Sequence, residues 1–250
     1  IEKPLWIFVG ATVTGKEEES DVLQIVEFIR KTLSDGVWLE EKIRSIISGN
    51  FKDSEGNDLF SNKFKTVRQL TNGQSDISIL ISDLYKAVFN GRGSLEVYEI
   101  KNAEGEFGLK VGENPYFGVI NIGNVSEFKK SLTQNNITVK EDAISSSLFD
   151  DIKKENSTIN LLIGSRKFME GWDTWRVSSM GLLNIGRGQG PQIIQLFGRG
   201  VRLKGKDLSL KRSDNEEIRP LETLNIYGIK ADYLDKFLSA IEKEEVDLEA

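Results

Sequence analysis

Two arginines near position 200 are the residues of this sequence best placed to act on an anion. Arg199 and Arg202 lie three positions apart, in a stretch that begins after Pro191, a residue favoured in the first turn of a helix. Helical spacing of this kind places both guanidinium groups on one face, where they can converge on a single anion. Arginine suits the recognition of phosphate oxygens, whereas the alternative use of such a pair is a surface salt bridge.

A second polar segment comes earlier in the chain. Residues 165–173 (S-R-K-F-M-E-G-W-D) follow the apolar run 159–164, which predicts a buried strand. Surface salt bridges do not explain why the two segments occur together, one after a strand and one on a helix. A basic run, residues 199–212, contains six cations and one acid, Asp207. Such a run is usually a solvated loop, but it can also contact nucleic acid.

Two other patterns have simpler interpretations. Residues 10–16 (G-A-T-V-T-G-K) have the spacing of a phosphate-binding loop, but Glu17 stands where a Ser or Thr hydroxyl would hold magnesium. Three successive glutamates there oppose an anion, so a strand-to-helix loop with an incidental Lys16 is the favoured interpretation. Glu99 and Lys101 resemble the end of a metal-dependent nuclease motif. No upstream Asp accompanies them, and cross-strand surface charges are the usual explanation.

Composition excludes several classes of chemistry. The 250 residues contain no Cys and no His, which leaves no serine or cysteine triad, no zinc site of the usual kind and no disulfide. We therefore expect no metal site in this chain. No apolar run approaches the roughly 20 residues of a membrane span, and no leader is recognisable, so a cytoplasmic location without membrane contact is expected. Because the chain begins with Ile1, we expect it to be a piece of a longer protein.

Short apolar runs alternate with helical patterns along most of the chain. The predicted strands are residues 5–10, 117–122, 137–139, 159–164, 180–185 and 224–228. The predicted helices are residues 21–33 (stopped by Gly36), one beginning near 124 with Ser126 as its cap, and residues 149–154, 192–197 and 233–244. This alternation predicts an α/β fold with a parallel sheet covered on both faces.

Residues 36–115 are less regular and are predicted to be an α+β insertion into a core made of residues 1–35 and 116–250. Helices are expected at residues 39–47 and within 67–89. Residues 95–100 alternate as a strand does, and a turn at 102–105 returns the chain through 107–111, which predicts a β-hairpin.

The polar segments resemble helicase motifs. Gln195, Gly198, Arg199 and Arg202 match the Gln-x-x-Gly-Arg-x-x-Arg signature of motif six of superfamily-two helicases. Residues 165–173 resemble motif five, which ends in Gly-x-Asp. Residues 5–10 resemble the strand of motif four.

The longer stretches 168–186 and 192–203 are similar to the restriction subunit of type III restriction enzymes and to related DEAD/DEAH-type proteins. The resemblance is strongest over residues 159–212, weaker over 5–33 and 117–139, and weakest in the insertion. It implies a RecA-like second motor domain. The first motor domain of that family, with its phosphate loop and acidic metal-binding motif, is absent from this sequence.

The resemblance also implies roles for individual residues. Arg199 and Arg202 are expected to act as arginine fingers on the terminal phosphate of ATP bound to the preceding domain. Gln195 and Gly198 are expected at the same interface, with Gln195 coupling it to nucleic acid.

Within motif five, Asp173 is expected to accept a hydrogen bond from the nucleotide ribose, and Gly171 to let the backbone approach the interface. Ser165 and Arg166 are expected to contact the nucleic-acid backbone. Trp172 and Trp175 can stack on bases, but packing in the core is the favoured expectation.

The function implied is that of the C-terminal motor domain of an ATP-dependent DNA helicase or translocase. The intact protein would be a hydrolase, of the kind found in restriction enzymes. Its expected cofactors are ATP and Mg²⁺, bound mainly by the first motor domain, and its expected partners are that domain, duplex or single-stranded DNA, and a modification (methyltransferase) subunit. The piece alone is expected to be inactive.

Two alternatives stay open at this stage. One is a non-enzymatic nucleic-acid-binding or docking module that keeps the fold. The other is a stand-alone nucleotide hydrolase that uses the loop from Gly10 to Lys16.

Overall fold

A single mixed sheet organises the part of the chain that the computed structural model describes, which is residues 3–10, 20–61, 63–70, 74–164, 174–184, 198, 213, 215 and 222–229. Its strands are β1 (Leu5–Gly10), β2 (Leu95–Ile100), β3 (Glu106–Val111), β4 (Gly118–Asn121), β5 (Val139–Asp142), β6 (Leu161–Gly164), β7 (Val177–Leu183) and β8 (Asn225–Ile229). They lie in the order β5-β2-β3-β4-β6-β1-β7-β8. The predicted α/β class is confirmed.

Most neighbouring strands run parallel. The pairs β4–β6, β6–β1, β1–β7 and β7–β8 form one contiguous parallel block, and β5 runs parallel to β2. The sheet is mixed rather than parallel throughout, because β3, a strand of the predicted hairpin, runs antiparallel to both β2 and β4.

The predicted hairpin is confirmed, and it lies inside the sheet. β2 and β3 pair from Leu95 with Val111 to Glu99 with Phe107. β3 is buried on both faces, as a central strand is, and Phe107 and Leu109 are fully buried. Whether residues 36–115 form a separate folding unit stays a prediction, but the strands of the hairpin share the sheet of the core.

Six helices are assigned among the described residues. They are α1 (Asp21–Ser34), α2 (Gly36–Ile47), α3 (Lys65–Leu70), α4 (Gln74–Phe89), α5 (Val125–Gln134) and α6 (Leu148–Asp151). The helices predicted at residues 192–197 and 233–244 lie outside the described part of the chain. None of the described helices combines the length and the apolar character that crossing a bilayer requires.

Local capping explains where α1 begins and ends. Ser20 has an extended backbone, and its hydroxyl oxygen accepts a hydrogen bond from the Leu23 N–H at 3.1 Å. A cap of this kind contributes about 1 kcal/mol. Asp35 ends α1 by donating its N–H to the Lys31 carbonyl, and its carboxylate accepts from Trp38 N to begin α2. Gly36 is therefore the first residue of α2 rather than a stop, which corrects the predicted boundary.

Helices cover the sheet on both faces. On one face α1 buries Val22, Ile25, Val26, Ile29 and Leu33 against β-strand residues and against α2, α4 and α5. On the other face Leu148 of α6 and Ile152 pack with the buried side chains of β1, β6 and β7. Each fully buried large apolar side chain contributes about 1.5–3 kcal/mol to the stability of the fold. Burial of these side chains on both faces holds the sheet between the two layers.

Two predicted boundaries near α5 are wrong for local reasons. Asn124, not Ser126, caps α5, because its side-chain oxygen accepts from Glu127 N at 3.3 Å. Asn136 adopts a left-handed conformation (φ 58°), and Ile137 N donates to Leu132 O at 2.9 Å. Residues 136 and 137 thus belong to the exit from the helix, and β5 starts at residue 139.

Candidate functional site

The carboxyl ends of the parallel block meet at one edge of the sheet. Gly164 at the end of β6 lies level with Asn121 of β4 and with Val9 of β1. Gly10 pairs with Leu183 of β7, which in turn pairs with Ile229 of β8. Neighbouring strands lie about 4.8 Å apart, so the ends of β6, β1 and β7 fall within about 10 Å. We call this the carboxyl edge; in open α/β sheets it is the edge at which ligands bind.

Within the parallel block, successive strands are added first toward one end of the sheet and later toward the other end. After β1 the chain enters α1, which packs on one face of the sheet. After β6 the chain must pass β1 to reach β7, because β1 lies between those two strands. The chain therefore continues from β1 to β2 toward one end of the strand order and from β6 to β7 toward the other end. In open α/β sheets, ligands bind at the carboxyl ends of strands where the order reverses in this way.

The predicted site segments follow these strand ends in the chain. Ser165 and Arg166 directly follow Gly164, and the segment that leads to Gln195 follows Asn184, the residue after β7. Gly198 is helical and exposed, and a Cβ added there would meet no atom within 4 Å. The other predicted site residues lie outside the described residues: Ser165, Arg166, Gly171, Asp173, Gln195, Arg199 and Arg202. Their roles stay predictions.

The described residues that flank segment 165–173 lie at opposite edges of the sheet. The segment starts after Gly164 at the carboxyl edge and ends before Thr174, a buried residue three positions ahead of β7. Arg176 lies at the amino end of β7, where its carbonyl accepts from Leu5 N at 2.7 Å. In the chain, Ser165 and Arg166 directly follow the last residue of β6. The ribose contact expected of Asp173 stays a prediction.

Trp175, which follows that segment in the chain, corrects one expectation. Trp175 is 48% exposed, so the prediction that it packs in the core is wrong. Trp172 lies outside the described residues. Arg176, which the sequence did not single out, is only 8% exposed and donates to the carbonyls of Lys3 (2.8 Å), Ile152 (3.2 Å) and Ile159 (2.6 Å). These hydrogen bonds join three backbone segments at the edge where the parallel strands begin, so Arg176 has a structural role.

A hydrogen-bonded contact joins three elements at the carboxyl edge. The Asp21 side chain, at the start of α1 and only 1% exposed, accepts a hydrogen bond from the side-chain amide of Asn184. Asn184 N donates to Ile229 O at 3.0 Å, which adds β8 to the contact. A Cβ on Gly10 would lie 2.5 Å from the Asp21 Cβ, so α1 begins directly against the end of β1. No local sequence pattern predicts this contact.

The geometry gives no support to a phosphate-binding loop at Gly10. In such loops the lysine and the hydroxyl residue open the helix that binds the anion. Here α1 begins at Asp21, after the extended residue Ser20, and so starts five positions beyond Lys16. Residues 11–19 themselves lie outside the described part of the chain.

The pair formed by Glu99 and Lys101 belongs to a network of surface charges. Lys101 contacts Glu99 at 2.9 Å and Glu141 at 3.0 Å, and Lys129 contacts the same two carboxylates at 2.7 and 3.5 Å. Hydrogen bonds from the two lysines lower the pKa of Glu99 and outweigh its partial burial. No cluster of acidic side chains in the described residues could hold a metal ion, so the interpretation as cross-strand charges fits these contacts.

Two further carboxylates are engaged in structural contacts. Glu106, 5% exposed, accepts from Ser147 Oγ at 2.6 Å, Leu148 N at 2.8 Å and Phe149 N at 3.2 Å, and thereby begins α6. Burial raises its pKa, although these hydrogen bonds act in the opposite direction. Burial also favours a higher pKa at Asp142. Hydrogen bonds from Ser145 and other partners outweigh it and hold the pKa of Asp142 well below the ordinary value.

Comparison with known proteins returned no relative. No protein-family model, no curated protein sequence and no solved structure matches the chain.

Proposed function

We propose that this chain is the C-terminal, RecA-like motor domain of an ATP-dependent DNA helicase or translocase of the type III restriction enzyme kind. The observation that supports the proposal is the arrangement of strand ends at the carboxyl edge. The strand that precedes motif five, β6, and the strand that precedes motif six, β7, end on either side of Gly10. Two separate segments of the chain therefore follow strands that end at the same edge of the sheet, which a shared site would require.

In this proposal the chain completes an ATP site on the preceding motor domain, which binds the ATP and Mg²⁺. Arg199 and Arg202 supply positive charge to the terminal phosphate, where charge develops during phosphoryl transfer. Gly198 is exposed and open on its side-chain side, which suits close approach of another domain to the backbone. Ser165 and Arg166, next to the end of β6, contact the nucleic-acid backbone without reading its sequence.

The decisive experiment uses the intact protein with its first motor domain, and it measures ATP hydrolysis with and without duplex DNA. The test variant is Arg202→Ala, and the matched control is Arg212→Ala, an arginine of the same basic run outside motif six. Loss of an arginine finger lowers turnover by on the order of a thousandfold while ATP binding persists. If both variants hydrolyse ATP at the wild-type rate, the finger assignment is wrong.

A DNA-binding measurement then separates the motor from a passive binding module. Phosphate contacts make binding salt-dependent, so Arg166→Ala should weaken DNA binding and reduce the slope of affinity against salt by about one unit. Salt-dependent binding with no effect of Arg202→Ala on hydrolysis would favour the non-enzymatic module.

A further inference from the structure

An aromatic surface lies on the chain segment between α2 and α3. The rings of Phe51 and Phe60 have their centroids 5.8 Å apart, and those of Phe60 and Phe64 have theirs 5.5 Å apart. Phe64 is 46% exposed, and the nearby Leu59 is 55% exposed. We call these four residues the phenylalanine surface. Large apolar side chains that are exposed together, rather than singly, indicate an interaction site.

Phe64 is held in a conformation that phenylalanine rarely adopts. Its φ of 56° lies in the left-handed region, which is unfavourable for a bulky side chain. Its carbonyl accepts a hydrogen bond from Arg68 N at 2.8 Å, so Phe64 occupies the cap position of α3. Ser, Asp or Asn would stabilise a helix from that position, and Phe cannot. Local stability therefore does not explain a phenylalanine here, and backbone strain of this kind is typical of functional sites.

The contacts around Phe64 fix the segment that presents its ring. Arg68 Nη2 donates to Asp58 Oδ2 at 3.0 Å and to the Phe60 carbonyl at 3.1 Å. Asp58 Oδ1 accepts from Phe60 N at 2.9 Å, so α3 is tied to the residues just before it. An exposed ring that is already held in place loses little conformational entropy when a flat partner stacks on it.

The charges beside the phenylalanine surface favour an anionic partner. Lys63 and Lys65 flank Phe64 in the chain, and both are exposed. Among the described residues, no carboxylate forms an ion pair with either lysine. The acids of this segment lie on the turn at residues 53–58, where two of the three are engaged in hydrogen bonds or an ion pair. A ring between two such cations suits single-stranded nucleic acid, whose bases stack while its phosphates contact the lysines.

We propose that the phenylalanine surface is a contact site for single-stranded nucleic acid, with an unpaired base stacked on Phe64 and the adjoining phosphates at Lys63 and Lys65. This inference deepens the proposed function, on which it rests for the identity of the polymer as DNA. The contact does not depend on base sequence, because every base has a face that can stack. It requires unpaired bases, so it favours a single strand over a duplex.

The test measures binding of a fluorescein-labelled oligothymidylate to the full chain by fluorescence anisotropy. The variant Phe64→Asn removes the ring, whereas Asn tolerates the left-handed conformation and can cap α3. We expect Phe64→Asn to bind the oligonucleotide about tenfold more weakly, through the loss of one stacked base. Its midpoint of unfolding in urea should be no lower than that of wild type. A ring with only a structural role predicts the opposite result, which is a lower midpoint and an unchanged affinity.

Matched controls separate the ring from its charged neighbours. Phe28→Asn removes a phenylalanine that is 53% exposed but belongs to α1, and it should leave the affinity unchanged. The double variant Lys63→Ala with Lys65→Ala should reduce the slope of log affinity against log salt by about 1.4 units, at about 0.7 for each phosphate contact on a single strand. Lys86→Ala with Lys153→Ala removes two exposed lysines elsewhere and should leave that slope unchanged.

Heparin, a polyanion without bases, separates stacking from charge. Phe64→Asn should bind heparin as wild type does, and the double variant at Lys63 and Lys65 should bind it more weakly. An oligothymidylate affinity equal to that of wild type in Phe64→Asn overturns the proposal, as does an equal loss for oligothymidylate and heparin.

The two proposals fail separately. If Arg202→Ala leaves ATP hydrolysis of the intact protein unchanged, the motor function fails, whereas a loss of oligothymidylate affinity in Phe64→Asn still supports the contact. If Arg202→Ala abolishes hydrolysis and Phe64→Asn binds the oligonucleotide as wild type does, only the inference about the phenylalanine surface fails.

Discussion

Replacement of Glu106 by alanine tests whether one buried carboxylate joins β3 to α6. The change removes three accepted hydrogen bonds, two of them at 2.6 and 2.8 Å and a longer one at 3.2 Å. The backbone N–H groups of Leu148 and Phe149 then lose their partner in a region where Leu148 is 5% exposed. At about 1 kcal/mol for each bond, we expect a loss of about 3 kcal/mol in the free energy of unfolding.

The assay is equilibrium unfolding in urea, with the midpoint and the slope fitted separately. Glu104→Ala is the matched control, because Glu104 lies two positions earlier and is exposed. That control should stay within about 0.5 kcal/mol of wild type. A loss below about 1 kcal/mol in Glu106→Ala at an unchanged slope would show that solvent or other groups replace the carboxylate, and the reasoning would fail.

The same residue predicts a pH dependence of definite sign. Burial raises the pKa of Glu106 above its ordinary value of 4.5. A carboxyl group whose pKa is raised in the folded state contributes stability below the unfolded value and loses it as the pH rises through the folded value. Wild type should therefore lose stability relative to Glu106→Gln as the pH rises above 4.5, and an opposite slope would contradict the assignment.

Three further changes follow from contacts at the two edges of the sheet. Gly10→Ala brings a methyl group to 2.5 Å from the first residue of α1 and should cost about 1–3 kcal/mol in urea unfolding, whereas Gly36→Ala, with no atom nearer than 3.5 Å, should be neutral or stabilising. Arg176→Lys keeps the charge but cannot reach three carbonyls at once, and a drop in melting temperature equivalent to about 2 kcal/mol is expected by calorimetry. The lowered pKa of Asp142 stabilises wild type above the ordinary aspartate pKa, and this stability is lost as the pH falls toward the lowered value. Asp142→Asn should lack this contribution, and identical pH profiles of the free energy of unfolding for the two proteins would contradict it.

Periodicity predicts most of the sheet because each buried strand is a short apolar run. β1 has its predicted bounds, and β6, β7 and β8 lie within a few residues of theirs. The alternation in residues 95–100 and the turn after it predict the hairpin. They do not predict its place between β4 and β5, because strand order depends on contacts between distant segments.

The errors arise where one side chain sets a boundary. Asp35 caps two helices at once, and Asn136 turns the chain after α5. Gly36 and residues 137–139 therefore indicate the wrong limits for α1 and β5. Glu106 and Arg176 do not stand out in the sequence, because their partners lie elsewhere in the chain. Of the candidate site, the sequence predicts the order of the segments, and the fold adds that the strands preceding two of them end at one edge of the sheet.

The central position of β1 has a consequence for synthesis. Its first residues pair with Leu161 and Val177, so both neighbours of β1 are made more than 150 residues after it. At about 5–20 residues per second, the apolar stretch Leu5–Gly10 waits roughly 10–30 s on a ribosome before either neighbour exists. During that interval a strand with two unpaired sides is a target for chaperones and for association between nascent chains. Among the eight strands that the structure describes, the one that comes first in the chain is thus among the last to be enclosed.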